Sequence, residues 1–294
     1  MEKKGFIYDF KKLVKIRLTF TVVFSASIAF LVGSREQGSI DWINWLLLTF
    51  GGFLVTGSAN GFNELIEKDL DKLMSRTADR PLPSGRMNTG QALVLSVLMG
   101  ILGTIILARL NMLTGILSVF SIFLYAFVYT PSKRMSPIAV FIGAFPGALP
   151  PLIGYFAAFD QPTISWIPII LFLIQFVWQF PHFWAIAWVA DDDYKKAGFR
   201  LLPSTHRDKI SAFMVVFSTI VMIPVSLIPS IMGFGGWVVG ALSLIGGLWF
   251  LWCAVELYRK MDIASARKVM FTSFIYLPLV QLVLLFDFKP IVLL

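Results

Sequence analysis

Nine apolar stretches, each close to the ~20 residues a helix needs to cross a bilayer, leave this chain little choice of architecture. They lie near 17–33, 42–62, 90–108, 112–130, 136–157, 164–189, 211–231, 236–257 and 269–288. In hydrocarbon every backbone polar group must be satisfied within the protein, so spans of this length are helices. The predicted fold class is all-α, a polytopic membrane protein with about nine transmembrane helices. A chain 57% hydrophobic and 14% charged, with a mean hydropathy of +0.78, excludes an ordinary soluble domain. No low-complexity segment interrupts the pattern, so 1–294 reads as a single integral membrane domain. The short 109–111 connection makes the third and fourth spans antiparallel neighbours.

The charges support the same count. Of 25 Lys and Arg, all but Arg35, Arg109 and Lys289 fall on one side if the N-terminus is cytoplasmic and nine spans follow. Cytoplasmic loops carry that excess, so the C-terminus is expected outside. The N-terminal tail carries Lys3, Lys4, Lys11, Lys12, Lys15 and Arg17 and runs into an apolar stretch without a small-residue cleavage site, so no removable signal peptide is expected. The formal charge of +8 does not point to nucleic acid, because the basic residues flank spans. Cys253, the lone cysteine, excludes an internal disulfide and a thiolate zinc cluster.

Two acidic clusters follow the second and sixth spans on the cytoplasmic side, a spacing that hints at a duplicated four-helix unit. In the first, Asn63, Glu67 and Asp71 are spaced i, i+4, i+8 and share one helix face. The bland reading is a solvated helix end, with Lys68 and Lys72 pairing nearby acids such as Asp69. Asn60 and Asn63 lie further toward the membrane, however, and polar side chains there are functional by default. Such a row of oxygens suits Mg²⁺, which takes oxygen ligands and bridges carboxylate to phosphate. Arg76 and Arg80 follow, placed to grip the same phosphate, and the Pro81–Gly85 run restrains their loop as a lid over an anionic ligand. Arg86 reads as topogenic.

Tyr129, Lys133 and Arg134 form a third group on that face, weak alone and stronger beside the first two. The small-residue and proline run 143–154 fits either close helix packing or a kinked helix lining a cavity. In the sixth span, His182 follows Pro181 among aromatics, about three turns before Asp193. It is either a hydrogen-bonded packing residue or part of an aromatic-walled pocket. The Asp191, Asp192, Asp193 triplet concentrates charge in a way a second Mg²⁺ site would explain. His206, in a charged loop, has no assigned role.

Taken together, these segments resemble the UbiA-type intramembrane prenyltransferases, whose first motif reads Asn-x-x-x-Asp-x-x-x-Asp. Four stretches carry the likeness: Asn63 to Pro81 with Arg76-Thr-x-x-Arg80-Pro; Tyr129-Thr-x-x-Lys133-Arg134; Gly147 to Gly154; and Pro181-His182-Phe followed by Asp193-Tyr194-x-x-Ala197-Gly198 and Leu202-Pro203. In detail they are closest to the family's haem-farnesylating branch, and the likeness runs roughly from the first span to the ninth. Two departures stand out. Glu67 replaces the family's Asp and keeps the carboxylate, and the second motif has the Asp triplet in place of Asp-x-x-x-Asp.

The resemblance implies a helical bundle around a central cavity open at the cytoplasmic face, and transfer of farnesyl from farnesyl diphosphate to a vinyl group of haem b, giving haem o. It implies Mg²⁺ as cofactor on Asn63, Glu67, Asp71 and Asp193, with Asp193 first choice in the triplet. Arg76, Arg80, Lys133 and Arg134 would bind diphosphate and His182 the haem. Asn60 would orient Glu67 or the diphosphate, and Tyr129, Asp191 and Asp192 would support the site. The resemblance further implies a place in the membrane lipid of a bacterial plasma (inner) membrane, and a haem A synthase or terminal oxidase as the kind of partner that would act downstream. Three rivals stand beside this reading: a sister prenyltransferase acting on an aromatic quinone precursor, a membrane transporter, and a non-catalytic assembly factor for an oxidase, which would not need an intact diphosphate clamp. A transporter would carry its ionisable residues nearer the midplane, whereas these gather at one face.

Overall fold

A computed structural model describes residues 5–161 and 164–290; Lys3 and Lys4 of the basic tail lie outside the described residues. A short α1 (Phe6–Leu13) precedes α2 (Ile16–Gln37), α3 (Trp42–Asp71), α4 (Thr89–Leu110) and α5 (Met112–Phe123). α5 passes through a π-helical turn, Leu124–Tyr129, into the single turn α6 (Thr130–Ser132). Then come α7 (Ala139–Phe156), α8 (Ile167–Lys196), α9 (Lys209–Ile231), α10 (Trp237–Lys260) and α11 (Ile263–Phe286). Among the described residues nine helical segments are long and apolar enough to span a membrane, with Met112–Ser132 counted as one. The protein is an integral multi-pass membrane protein, as its hydropathy requires.

Local chemistry sets where spans begin. Asp41, Asn88, Asn111, Asp208 and Asp262 stand immediately before α3, α4, α5, α9 and α11, and each side chain accepts from a backbone N–H of the first turn. Those first-turn donors have no partner within the helix, so an Asx residue at this position is worth about 1 kcal/mol. Between α1 and α2 the chain turns sharply at Lys15, which adopts the left-handed conformation at φ 48°.

The sequence stops its apolar run near 62 and 189, but α3 and α8 continue to Asp71 and Lys196, 30 residues each. Both acidic clusters therefore ride on rigid helix rather than on loops. Their ends meet: the Ser75 hydroxyl, just beyond α3, donates to Asp193 at 2.7 Å. Lys133 donates to Glu67 at 2.8 Å, and the Arg200 amide donates to the Lys133 carbonyl at 2.8 Å. The segments after the second, fourth and sixth spans thus converge on one face, as the charge asymmetry requires.

α2, α3, α7, α8 and α11 are neighbours around the centre, α7 packing on both α2 and α8. Pro146, Pro150 and Pro151 lie inside α7. Pro151 removes the N–H that would bond the Gly147 carbonyl, and Gln175 of α8 supplies it from its side chain at 2.7 Å. The 143–154 run is a packing surface: a Cβ on Gly154 would lie 2.0 Å from the Ala26 carbonyl oxygen of α2. Only helices without side chains at the crossing can approach so closely.

Replacing Gly154 with Ala is expected to force α2 and α7 apart. Overpacking of this kind costs about 1–3 kcal/mol, or a fall of about 5 °C in the thermal midpoint of detergent-purified protein. Gly52→Ala, where a Cβ would meet only Val23 at 3.8 Å, is expected to leave the midpoint unchanged. Equal midpoints for the two variants would refute the close crossing.

Candidate active site

A cavity of about 500 Å³ opens beside the end of α3. One end is polar, lined by Lys15, Asn63, Glu67, Asp71, Arg80 and Lys133. The other is apolar, with Val140, Phe183, Ile186 and Phe274 around His182. Tyr125 and Tyr129 reach it from the π-helical turn, which re-aims side chains by one residue relative to a regular helix.

Asn63, Glu67 and Asp71 share one face of α3, and all three are buried. Asn63 donates to Glu67 at 2.9 Å and to the Thr130 hydroxyl at 3.0 Å, and its amide oxygen accepts from Lys15. Lys133 pairs with Glu67 and lies 4.8 Å from the Tyr129 ring centre. Arg80 pairs with Asp71 Oδ2 at 2.5 Å, while Asp71 Oδ1 is buried without a hydrogen-bond partner. Burial works against the charge on Lys133, but the Glu67 carboxylate more than offsets it and raises the pKa above the ordinary lysine value. Lys15 behaves oppositely: burial, reinforced by Arg80 and Lys133, lowers its pKa well below that value.

The segment between α3 and α4 folds back over this end. The Leu82 amide donates to the buried Glu64 at 3.1 Å, and the Thr77 hydroxyl donates to the Asp71 carbonyl at 2.9 Å. Arg86, read from sequence as topogenic, bonds Asp9 of α1 at 2.8 Å and Asp79 at 3.0 Å, tying this segment to the N-terminal helix. The loop is thus held at both ends, with Arg76 and Arg80 between them lining the cavity.

Other expected residues stand elsewhere. Asn60 does not reach Glu67; its amide donates to the Val14 carbonyl at 3.2 Å and the Thr19 hydroxyl at 3.3 Å, holding the start of α2. Arg134 is exposed and does not line the cavity. Asp193 also lies outside the lining: it accepts from Ser75, from the Arg76 amide at 3.2 Å and from Lys196 at 2.9 Å. Asp191 stands 2.7 Å from Lys195, and Asp192 pairs with Arg207 at 3.0 Å. The triplet's charge is therefore answered by protein cations. No group of three or more His, Cys, Asp or Glu side chains gathers as a metal cluster among the described residues. Asp69, exposed and paired with Lys72, fits the bland reading of a solvated helix end.

The sequence reading gave no site role to Lys15, Arg17 or Tyr125, which also line the cavity. Nothing in the local pattern separates Lys15 from Lys11 and Lys12; only the turn between α1 and α2 does.

The polar end fits a hard cation together with an anion. Its donors are all oxygen, and the orphaned Asp71 Oδ1 marks a position where a ligand bond is missing. Arg76, Arg80 and Lys133 outnumber the two carboxylates, so a dication alone would meet repulsion, whereas one carried with a multivalent anion would not.

The UbiA prenyltransferase family model matches residues 22–277. A protoheme IX farnesyltransferase from Cytophaga hutchinsonii is 46% identical over 278 residues, 94% of this chain and 96% of that protein. One from Christiangramia forsetii is 42% identical, over 95% and 93%. Among solved structures, one giving insight into digeranylgeranylglyceryl phosphate synthase has a TM-score of 0.79 at 22% identity, covering 96% of this chain and 98% of that one. A UbiA homolog from Archaeoglobus fulgidus bound to GPP and Mg²⁺ has a TM-score of 0.69 at 13% identity, covering 94% and 99%. At those identities the structures speak for the fold. The chain belongs to the UbiA prenyltransferase family.

Proposed function

We propose that this prenyltransferase moves the farnesyl group of farnesyl diphosphate onto a vinyl carbon of haem b, giving haem o and diphosphate. The observation that carries the reading is one cavity with a cation-rich, carboxylate-bearing end beside an apolar, aromatic end containing His182. The protoheme IX farnesyltransferase relatives, matched over nearly their whole length, support the choice of acceptor and donor.

In this reading Asn63, Glu67 and Asp71 hold Mg²⁺, and Arg76, Arg80, Lys15 and Lys133 bind the diphosphate. When bound, the metal supplies Lewis-acid stabilisation of the departing oxygens. The cationic side chains stabilise the same developing charge as the allylic C–O bond breaks and its electron pair leaves with diphosphate. The vinyl π pair then forms the new C–C bond. Water adds to the carbon left electron-poor beside the porphyrin and loses one proton, giving the hydroxyl of haem o. Val140, Phe183, Ile186 and Phe274 keep water from the allylic cation before attack. Asp193 holds the backbone of Arg76 and so positions the lid, while Arg134 sits outside the reacting volume.

Purified protein in detergent, given haem b, farnesyl diphosphate and Mg²⁺, is expected to yield the hydroxyethylfarnesyl haem by mass spectrometry, and EDTA to abolish it. Asp71→Asn, isosteric but uncharged, is expected to lower turnover at least ~10²-fold, the scale set by loss of one electrostatic stabiliser. Arg134→Ala is expected to stay within a few-fold of the parent. Diphosphate release with 4-hydroxybenzoate in place of haem would move the protein to the quinone branch, and no turnover with either acceptor would sink the prenyltransferase assignment of the cavity.

The charge asymmetry supports a cytoplasmic cavity mouth, in the inner membrane, with the C-terminus outside. Because Cys253 is buried and is the lone cysteine, an introduced thiol reports cleanly. Ser84→Cys, exposed on the lid, is expected to react with an impermeant maleimide in inverted vesicles and not in intact spheroplasts. The opposite pattern would invert the topology.

A further inference from the structure

His182 stands in α8 with its Nδ1 2.7 Å from the hydroxyl oxygen of Ser273 in α11. The distance alone does not say which of the two donates; the count of protons does. A serine hydroxyl has one hydrogen. The Ser273 oxygen also lies 2.5 Å from the Met270 carbonyl oxygen, one turn earlier in the same helix. A carbonyl has no proton to offer, so at that separation the serine hydrogen lies between the two oxygens. Ser273 is then left with lone pairs only toward His182. An unprotonated Nδ1 would set lone pair against lone pair at 2.7 Å, so Nδ1 carries the hydrogen and donates.

This leaves Nε2 without a hydrogen. No described residue bonds to it, and His182 lines the cavity. The ring plane is also held. Trp178, one turn earlier on α8, stacks on the imidazole at 4.4 Å and 18°, and its indole N–H donates to the Ser273 carbonyl at 3.0 Å. Phe274 meets the ring edge-on at 5.0 Å and 78°. Ser273 therefore anchors both rings, the indole through its carbonyl and the imidazole through its hydroxyl.

We propose that Ser273 is a positioning residue that locks His182 in the Nδ1–H form and so presents the Nε2 lone pair to the cavity as an axial ligand for the iron of bound haem. The proposal rests on the reading of the cavity as the haem's. Coordination forms one Fe–N bond and involves no electron transfer or proton movement. It would fix the porphyrin at the apolar end, with its edge toward the diphosphate. A neutral imidazole oriented by a hydrogen bond at its far nitrogen is the form metals bind, and loss of the orienting partner commonly weakens binding about 10–100-fold.

The chain holds only two histidines, so His206→Gln leaves His182 as the sole imidazole signal. The full-length variant, ¹⁵N-histidine labelled and placed in nanodiscs, is expected to show Nδ1 protonated and Nε2 unprotonated. Ser273→Ala is expected to lose that single form and Ser273→Thr to keep it. Titrated with ferric haem, the parent is expected to give a histidine-ligated optical and paramagnetic resonance spectrum. That spectrum would vanish in His182→Ala, its affinity fall about 10–100-fold in Ser273→Ala, and recover in Ser273→Thr. Binding of Mg²⁺ with inorganic pyrophosphate, unchanged in Ser273→Ala, would show that variant folded. A proton on Nε2, or a Ser273→Ala protein with the parental proton position, overturns the positioning role. An unaltered haem spectrum in His182→Ala overturns the ligand role, even where the parent still makes haem o. The tautomer measurement needs no haem, so it reads Ser273 independently of whether haem is the acceptor.

Discussion

Polar side chains buried at the end of a membrane helix need partners, and on this protein's α3 Asn63, Glu67 and Asp71 draw theirs from three different connecting segments. Lys133 reaches Glu67 from the turn after α6, Arg80 reaches Asp71 from the segment before α4, and Lys15 reaches Asn63 from the break between α1 and α2. Losing one member of a buried pair strands the other and costs about 3–5 kcal/mol, more than a surface loop's own contacts supply. The left-handed backbone at Lys15 costs about 1–2 kcal/mol. The hydrogen bond that this turn lets Lys15 give Asn63 contributes about 0.5–1.5 kcal/mol, comparable to that strain. The polar row thus does two jobs at once, organising three loops and lining the cavity they enclose.

In the proposed reading the same pairs hold the site in readiness. Each carboxylate already has a cation beside it, so the groups that would hold the metal and those that would hold the diphosphate are in place before either arrives. Bringing a metal–diphosphate complex exchanges ion pairs rather than exposing bare charge, which avoids the desolvation penalty of an isolated buried ion. Preorganisation of this kind is where electrostatic catalysis obtains its advantage, because the groups need not reorganise as charge develops on the leaving oxygens.

The apolar half of the bundle meets a different constraint, satisfying polar atoms inside the membrane. Ser25 of α2, Gln175 of α8 and Gln281 of α11 form a closed set of hydrogen bonds at 2.5–2.9 Å. Gln175 also takes the carbonyl that Pro151 frees, and Gln179 takes the Ala144 carbonyl at 3.0 Å. α2, α7, α8 and α11 are tied together about one to two turns from His182. The rigid wall behind the imidazole is a product of this network, and its glutamines and glycines are matched: a Cβ on Gly147 would lie 1.9 Å from Gln179.

Local pattern carries some of this and not the rest, for a physical reason. The spans follow from the solvent, since a run of some 20 apolar residues has one stable form in hydrocarbon. The shared face of Asn63, Glu67 and Asp71 follows from the helical repeat alone. What local pattern does not contain is which cation meets which acid, because the partners lie 66 residues apart for Glu67 and Lys133 and 77 apart for Asp9 and Arg86. Composition makes the Asp triplet look starved of a cation, yet Lys195, Lys196 and Arg207 fold onto it. Asn60 occupies the right face to serve Glu67, but the Val14 carbonyl, left without a helical donor where the chain turns at Lys15, takes its amide first. Ser273 is the clearest instance. In sequence it is a small residue in an apolar helix with no motif around it, and its meaning lies in a chain of single protons from imidazole to hydroxyl to carbonyl that exists only once α8 and α11 are side by side. A helix-forming pattern specifies faces; the donor and acceptor that meet across two faces are specified by packing, and in a membrane, where water cannot substitute for either, that meeting decides which nitrogen of an imidazole is left to face the cavity.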